Sequence, residues 1–355
     1  MSNKTIIVAE IGINHNGSID NCLKMIDSSA EAGCDAVKLQ FFKAKYMYPR
    51  SAGKLDWKDS EKEYSYDIYK AVESFELPLD WIDELIRYCE SKKVNLISSV
   101  FDIRGFDLLV DKGIKTIKLA SYALTNIPLV EHCAKSRLPL LLSTGGATLG
   151  ETEEAVAAVL TYHKDITLLH CSIQYPTALV DCNLAVINTL KYAFPGLTVG
   201  YSDHTKEIYE APVQAVYLGA TVIEKHITRD KKMKGPDHFF SLEPADLKRM
   251  VSHIRQAEID REKGNFKIEG ILYGNSAKIC HQNEKYLRDF AFMTLFAAKN
   301  IKKGEIIRPE NVLILRPGKK KRGLDPKFLS LFQNYSVTAK KNLAFEDSID
   351  WDAIL

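Results

Sequence analysis

The sequence predicts an α/β protein, a (β/α)8 barrel followed by a small β-rich module. Three observations point there. Eight short apolar runs alternate with amphipathic helical stretches between residues 6 and 227. Polar side chains gather where those runs end. Beyond residue 264 the periodicity changes, and the last segment contains an internal echo.

The runs are Ile6–Gly12, Ala36–Gln40, Leu96–Phe101, Thr116–Ala120, Leu140–Thr144, Ile166–Cys171, Leu197–Tyr201 and Thr221–Ile227. Helical patterns lie at Asn21–Ala32, Asp80–Ser91, Ile127–Ala134, Glu151–Leu160 and Ile208–Leu218, with Pro244–Lys263 after the last run. Near-continuous apolar strands separated by helices are expected of buried parallel strands with crossover connections. Eight such units in about 260 residues fit a closed barrel. A doubly wound open sheet is the competing arrangement, but it usually carries fewer strands, and no GxGxxG follows the first run.

Residues 1–264 are therefore assigned to the barrel, 265–290 to a polar, weakly periodic linker, and 291–355 to a tail domain. Within the tail, Ala297–Leu313 echoes Ala339–Leu355: a small residue, Lys-Asn-Ile/Leu, an acidic turn, then an apolar end. Two related units suggest a pseudo-symmetric module. The cluster Lys319–Arg322 reads as a solvated loop, with guidance of an anionic substrate as the alternative.

Composition narrows the class. The 355 residues are 46% hydrophobic and 26% charged, ordinary for a soluble globular chain. A net charge of +2 without a concentrated basic face argues against a nucleic-acid partner. No run approaches the ~18 apolar residues that span a bilayer, and the start MSNKTIIVAE lacks the apolar core of a signal peptide. Seven scattered cysteines, with no CxxC, fit reduced thiols in a cytoplasm better than disulfides or a structural zinc.

In such a barrel, chemistry sits at the C-terminal ends of the strands. Here those ends carry Glu10, Lys38 and Gln40, Lys118 and Ser121, Ser143, His170 and Ser172, then Ser202, Asp203 and His204, and finally Glu224 and His226. Each has a structural reading: Ser143 as a helix cap, Glu224 as a scaffold partner for a lysine, His226 as a satisfied core histidine. Two lysines and three serines converging on one mouth instead suit a small molecule bearing phosphate and carboxylate. His204 and His226 close neighbouring strands, and two neutral imidazoles make an open site that water and substrate oxygens complete. Mixed nitrogen and oxygen ligation suits Mn²⁺, Fe²⁺, Co²⁺ or Zn²⁺.

The motifs AEIGINHNG (9–17), VKLQ (37–40), KLAS (118–121), LLSTGG (141–146), HCSIQYPT (170–177), GYSDHT (200–205), IEKHITRD (223–230) and GPDH (235–238) resemble, in order, those of the sialic acid (nonulosonic acid) synthase family. The tail, with FAAKNIKKGEII and LILRPG, resembles that family's antifreeze-like (SAF) domain. The resemblance implies a TIM barrel that condenses phosphoenolpyruvate (PEP) with an N-acylated hexosamine, N-acetylmannosamine or a di-N-acetylated deoxyhexose, and releases phosphate. It implies a divalent metal on His204 and His226, most often Mn²⁺, with Mg²⁺ or Co²⁺ as alternatives. It implies PEP held by Lys38, Lys118, Ser121, Ser143 and Ser202, and sugar contacts from Glu10, Gln40, Tyr175 and Asp237. It further implies a domain-swapped homodimer in which Arg316, of the tail's RPG, reaches the partner's site. Glu10 is the candidate for positioning or deprotonating water or a sugar hydroxyl.

Two positions depart from the family pattern. Ala123 stands where a glutamate is usual after KLAS, and Ile173 where a polar residue is usual in HCSIQYPT. Both are expected to border the ligands, which points to a less hydroxylated or deoxygenated sugar. The competing functions are a related PEP aldol-type synthase acting on another aldose, and a non-catalytic sugar- or PEP-binding descendant. The latter would be expected to lose the histidines or lysines that are present here.

Overall fold

The computed structural model describes residues 4–58 and 63–354. Its centre is a closed, parallel eight-stranded barrel. The barrel strands are β1 (Ile6–Gly12), β2 (Ala36–Gln40), β5 (Asn95–Val100), β6 (Ile117–Leu119), β7 (Leu140–Ser143), β8 (Ile166–His170), β9 (Thr198–Asp203) and β10 (Val222–His226). Around the barrel the order is β1, β10, β9, β8, β7, β6, β5, β2, with β2 pairing back onto β1. All eight expected strands form, two with the expected bounds and the others with ends displaced by at most two residues. The intervening numbers, β3 (Lys54–Lys58) and β4 (Glu63–Asp67), belong to an antiparallel hairpin inserted after β2. The sequence reading anticipated no element there, because the segment is mostly polar and sits in a long inter-strand connection.

The expected helices also form, and their ends follow local chemistry. Ser18 caps the helix Ile19–Ala32 by accepting from Asn21 N, and Gly33 ends it with φ +85°. Thr148 and Glu151 form a capping box on Leu149–Leu160. The long helix Pro244–Glu262 is pinned to the N-terminal face of the barrel through Arg255, which donates to Thr5 O at 2.7 Å and Asp35 Oδ2 at 3.0 Å. That face is the structural end of such a barrel, away from the strand ends where chemistry sits.

Period-two alternation sorts the interior into layers. The floor is apolar, made by Val8, Ala36, Ile97, Leu141, Leu169 and Val222. Gly200 completes it, because a Cβ there would come within 2.5 Å of Val222 O. Two residues further along the same strands, the inward positions turn polar.

Residues 265–290 are docked rather than free. The short helices Gly270–Tyr273 and Lys285–Ala291 lie here. Leu272 is fully buried, and Leu184 N donates to Leu272 O at 2.9 Å, as does Leu149 N to Lys278 O. A few well-placed apolar residues suffice to hold a segment whose periodicity is weak.

The tail has its own apolar cluster around β11 (Thr294–Ala297) and β12 (Val312–Leu315), an antiparallel pair. The two echoed segments bond reciprocally. Ile301 and Leu343 exchange both backbone hydrogen bonds, at 2.8 and 2.9 Å. Gly304 N donates to Ala339 O, and the corresponding Glu346 N donates to Ala297 O, each at 2.8 Å. Gly304 and Glu346 share the left-handed conformation, with φ +84° and +64°. The repeat in sequence is thus a local two-fold in space. In the loop Lys319–Arg322 each cation meets a nearby polar or acidic group, such as Lys321 with Asp350 at 2.6 Å and Arg322 with Asp325 at 2.5 Å. That is the solvated-loop reading.

Candidate active site

The polar layer begins with a buried charge network. Lys38 Nζ lies 2.7 Å from Glu10 Oε2 and 3.5 Å from Glu224 Oε1, and donates to Ser99 Oγ at 3.1 Å. Burial alone would depress Lys38, but the Glu10 and Glu224 carboxylates more than offset it and leave its pKa above the ordinary value. Lys118 Nζ donates to Glu224 Oε1 at 2.8 Å. Its pKa is lowered: burial is the main cause, Glu224 opposes it, and the charge of Lys38 adds to it. Glu224 also accepts from Ser202 Oγ at 2.9 Å, and its carboxyl is held well below the usual range by Lys118 and Lys38 despite burial. Glu224 is therefore scaffold for both cations. Lys118, bound to one carboxylate, keeps N–H donors free for an incoming anion.

Above this layer Gln40 Nε2 donates to Glu10 Oε1 at 2.8 Å. Gly12 is required beside them, since its φ is +55° and a Cβ would approach Glu10 Oε1 to 2.9 Å. Ser121 Oγ accepts from Gly145 N at 3.0 Å, tying the KLAS turn to the STGG turn. Ser143 Oγ is buried without a partner. It does not cap the following helix, which Thr148 caps.

His204 and His226 have ring centroids 5.7 Å apart. His204 Nδ1 donates to Ser172 O at 2.7 Å, which leaves Nε2 as a bare lone pair. His226 Nδ1 is buried without a hydrogen bond, and Asp237 Oδ2 stands 3.8 Å from it. Burial, with His226 adding to it, brings His204 down to about 3; burial and the charge of Lys38 bring His226 to about 3. Both rings are neutral near pH 7. Burial and the Glu10 charge raise Asp237 to about 7, with Lys38 pulling the other way. Two neutral imidazoles, an orphaned ring nitrogen and an adjacent carboxyl fit a divalent cation. Tyr175 stacks on His204 at 4.1 Å between centroids.

One cavity of about 200 Å³ collects these groups. All twelve residues assigned from the sequence to the metal, PEP, the sugar or proton transfer line it: Glu10, Lys38, Gln40, Lys118, Ser121 and Ser143, then Tyr175, Ser202, His204, His226, Asp237 and Arg316, whereas Ser172 and Asp203 of the strand ends do not. Ser99, Phe101, Tyr122 and Cys171 line it too and were missed. Ser99 and Cys171 were legible, since the period-two rule that selects Lys38 selects them. Tyr122 belongs to a turn, where no period applies.

Two expectations change. Ala123 and Ile173 do not border the cavity; both are fully buried elsewhere. The Ile173 side chain packs against the STGG turn, where a Cβ on Gly145 or Gly146 would meet it at 2.9 or 2.6 Å. His170 also turns outward, because Leu169 and Cys171 take the inward positions of its strand, and its Nε2 pairs with Cys182 O at 2.8 Å. Within one chain, Arg316 lies at the mouth of the barrel, because the segment 265–290 runs back along that barrel and delivers the tail there. Arg316 N donates to Met47 O at 2.8 Å. Its guanidinium lies 4.8, 5.0 and 5.8 Å from the ring centres of Tyr122, Phe101 and Tyr48.

Residues 25–265 match the NeuB family. The chain is 39% identical over 364 residues to the spore coat polysaccharide biosynthesis protein SpsE of Bacillus subtilis, spanning 100% of this chain and 96% of that one. The crystal structure of that protein superposes with a TM-score of 0.87 over 99% of this chain and 95% of the other. An N,N'-diacetyllegionaminic acid synthase of Campylobacter jejuni is 38% identical over 88% of this chain and 91% of its own. A sialic acid synthetase structure from Leptospira borgpetersenii, in complex with citrate, has 31% identity and a TM-score of 0.66, covering 81% of this chain and 91% of that one.

Proposed function

The chain belongs to the NeuB family, and from that membership we propose that it is a nonulosonic acid synthase condensing PEP with an N-acylated hexosamine. The observation that carries the reading is the pairing, in one cavity, of the Lys38–Glu224–Lys118 network with the neutral His204 and His226. The first receives a compact anion and the second a cation with a neutral sugar.

PEP is assigned to Lys38, Lys118, Ser121, Ser143 and Ser202. Ser143 gains the partner it lacks, and the unused donors of Lys118 meet phosphate or carboxylate oxygen. Preorganised charge of this kind acts throughout the reaction without rearrangement. Carbon three of PEP forms the new bond to the aldehyde carbon of the open-chain sugar, and positive charge develops at carbon two. Water adds at carbon two, and phosphate departs with the bridging oxygen. Glu10, set between Lys38 and Gln40, positions or deprotonates the water or a sugar hydroxyl. Gln40, Tyr175, Asp237 and Arg316 face the outer part of the cavity and are assigned to the sugar.

His204 and His226 would hold a divalent cation, Mn²⁺ foremost with Mg²⁺ or Co²⁺ as alternatives. Such a cation supplies Lewis acidity toward the sugar aldehyde. A homodimer that exchanged tails would preserve every contact of Arg316 while moving it to the other barrel. A cytoplasmic setting suits the seven free thiols, and among the described residues no helix is long and apolar enough to cross a membrane.

Incubation with PEP, Mn²⁺ and either N-acetylmannosamine or a di-N-acetylated deoxyhexose should yield an acid three carbons longer, detected by mass spectrometry. Unchanged sugar in every reaction would overturn the reading.

A further inference from the structure

The residue before each candidate metal-binding histidine belongs to one buried ion pair. Asp203 precedes His204 and Lys225 precedes His226. Lys225 Nζ lies 2.5 Å from Asp203 Oδ2, with both side chains withdrawn from solvent. Strand alternation puts the histidines toward the cavity and this pair behind the barrel wall, and neither member lines the cavity.

We propose that Asp203 and Lys225 are positioning residues that fix His204 relative to His226 for a divalent cation, an inference that rests on the metal reading above. The bonds are directional. Thr205 N and Thr205 Oγ1 donate to Asp203 Oδ1 and Oδ2 at 2.9 and 3.0 Å, closing a turn around His204. Lys225 Nζ donates to Thr205 O at 2.6 Å and to Thr205 Oγ1 at 3.1 Å. Tyr201 Oη donates to Asp203 Oδ1 at 3.1 Å. Both flanks of His204 are thus tied to the residue before His226 through one ammonium group. The remaining freedom is taken up by Ser172 O, which accepts from the His204 ring, and by Thr177 N, which donates to His204 O at 2.9 Å.

Energetics favour a geometric role over a stabilising one. A buried ion pair adds little net stability compared with apolar residues of similar volume. Groups that orient metal ligands, by contrast, govern affinity by about 10–100-fold.

The test is Mn²⁺ titration of the full-length chain, with free Mn²⁺ read by electron paramagnetic resonance. The neutral double variant Asp203→Asn, Lys225→Met avoids leaving a lone buried charge. It should bind Mn²⁺ about 10–100-fold more weakly, while its unfolding temperature and its PEP affinity measured without metal stay near those of the parent. Mn²⁺ affinity within twofold of the parent overturns the inference. So does a loss of Mn²⁺ and PEP affinity together with a lowered unfolding temperature, which marks a general structural role. Should the double variant not fold, Thr205→Val removes the hydroxyl that both ions share while leaving the ion pair itself intact, and the same readings apply. Parent Mn²⁺ affinity that His204→Ala leaves unchanged sinks the metal reading itself, and this inference with it.

Discussion

The Lys118 ammonium and the Glu224 carboxylate meet at 2.8 Å inside the barrel, where both are buried. Glu224 answers two lysines at once, since Lys38 stands 3.5 Å from the same oxygen. One carboxylate shared in this way anchors both cations without saturating Lys118, whose pKa stays below the ordinary value. Under the proposed assignment, the PEP anion completes what Glu224 leaves open.

Lys118→Met should therefore act on PEP rather than on the sugar. Loss of a preorganised charge at the reacting group costs about 10²–10³-fold in turnover. Initial rates at varied PEP and fixed sugar check this; a variant within threefold of the parent would remove Lys118 from the anion site.

Glu10→Gln keeps the contact with Gln40 but removes the charge facing Lys38. Turnover should fall by about 10²-fold if Glu10 moves a proton or orders water. Near-full turnover would refute that role.

Ile173 was expected to border the sugar, but it fills the hollow above Gly145 and Gly146. Ile173→Thr should leave acceptor preference unchanged and lower stability by about 1–3 kcal/mol, the cost of burying a hydroxyl without a partner. Chemical denaturation and a sugar panel read the two effects separately. A switch of preferred sugar in this variant would return Ile173 to the ligand.

The pH dependence of stability has an identifiable contributor outside the cavity. Burial would raise Glu151, but the hydrogen bond from Arg288 and the donation from Thr148 N bring it from 4.5 to about 2. A carboxyl depressed on folding stabilises fully above its unfolded value, and that stabilisation disappears as pH falls through the folded one. The gap in unfolding temperature between the parent and Glu151→Gln should be complete above pH 4.5 and close steadily toward about 2. A gap unchanged over that range would show that the Arg288 pairing contributes nothing.

The strands, most helices and the barrel's polar rim were legible because period two and period 3.6 both leave strong marks in buried elements. Lys38, Ser202 and His226 could be placed on the inner face from alternation alone. What alternation could not place lay in turns and in long-range packing. Tyr122 enters the cavity from a turn, and Leu272 is buried by a segment with almost no period. Ile173 lies three residues past the last paired residue of its strand, His170, where the inward–outward rule lapses. The Asp203–Lys225 pair was hidden differently: both residues were quoted in motifs, but only the barrel register sets them side by side.

The central claim is tested most directly by phosphate release from PEP in ¹⁸O-labelled water, with Mn²⁺ and an N-acylated hexosamine. Condensation with cleavage of the carbon–oxygen bond predicts sugar-dependent release of unlabelled phosphate and one ¹⁸O at carbon two of the new acid. Label in the phosphate, or release that ignores the sugar, would contradict it.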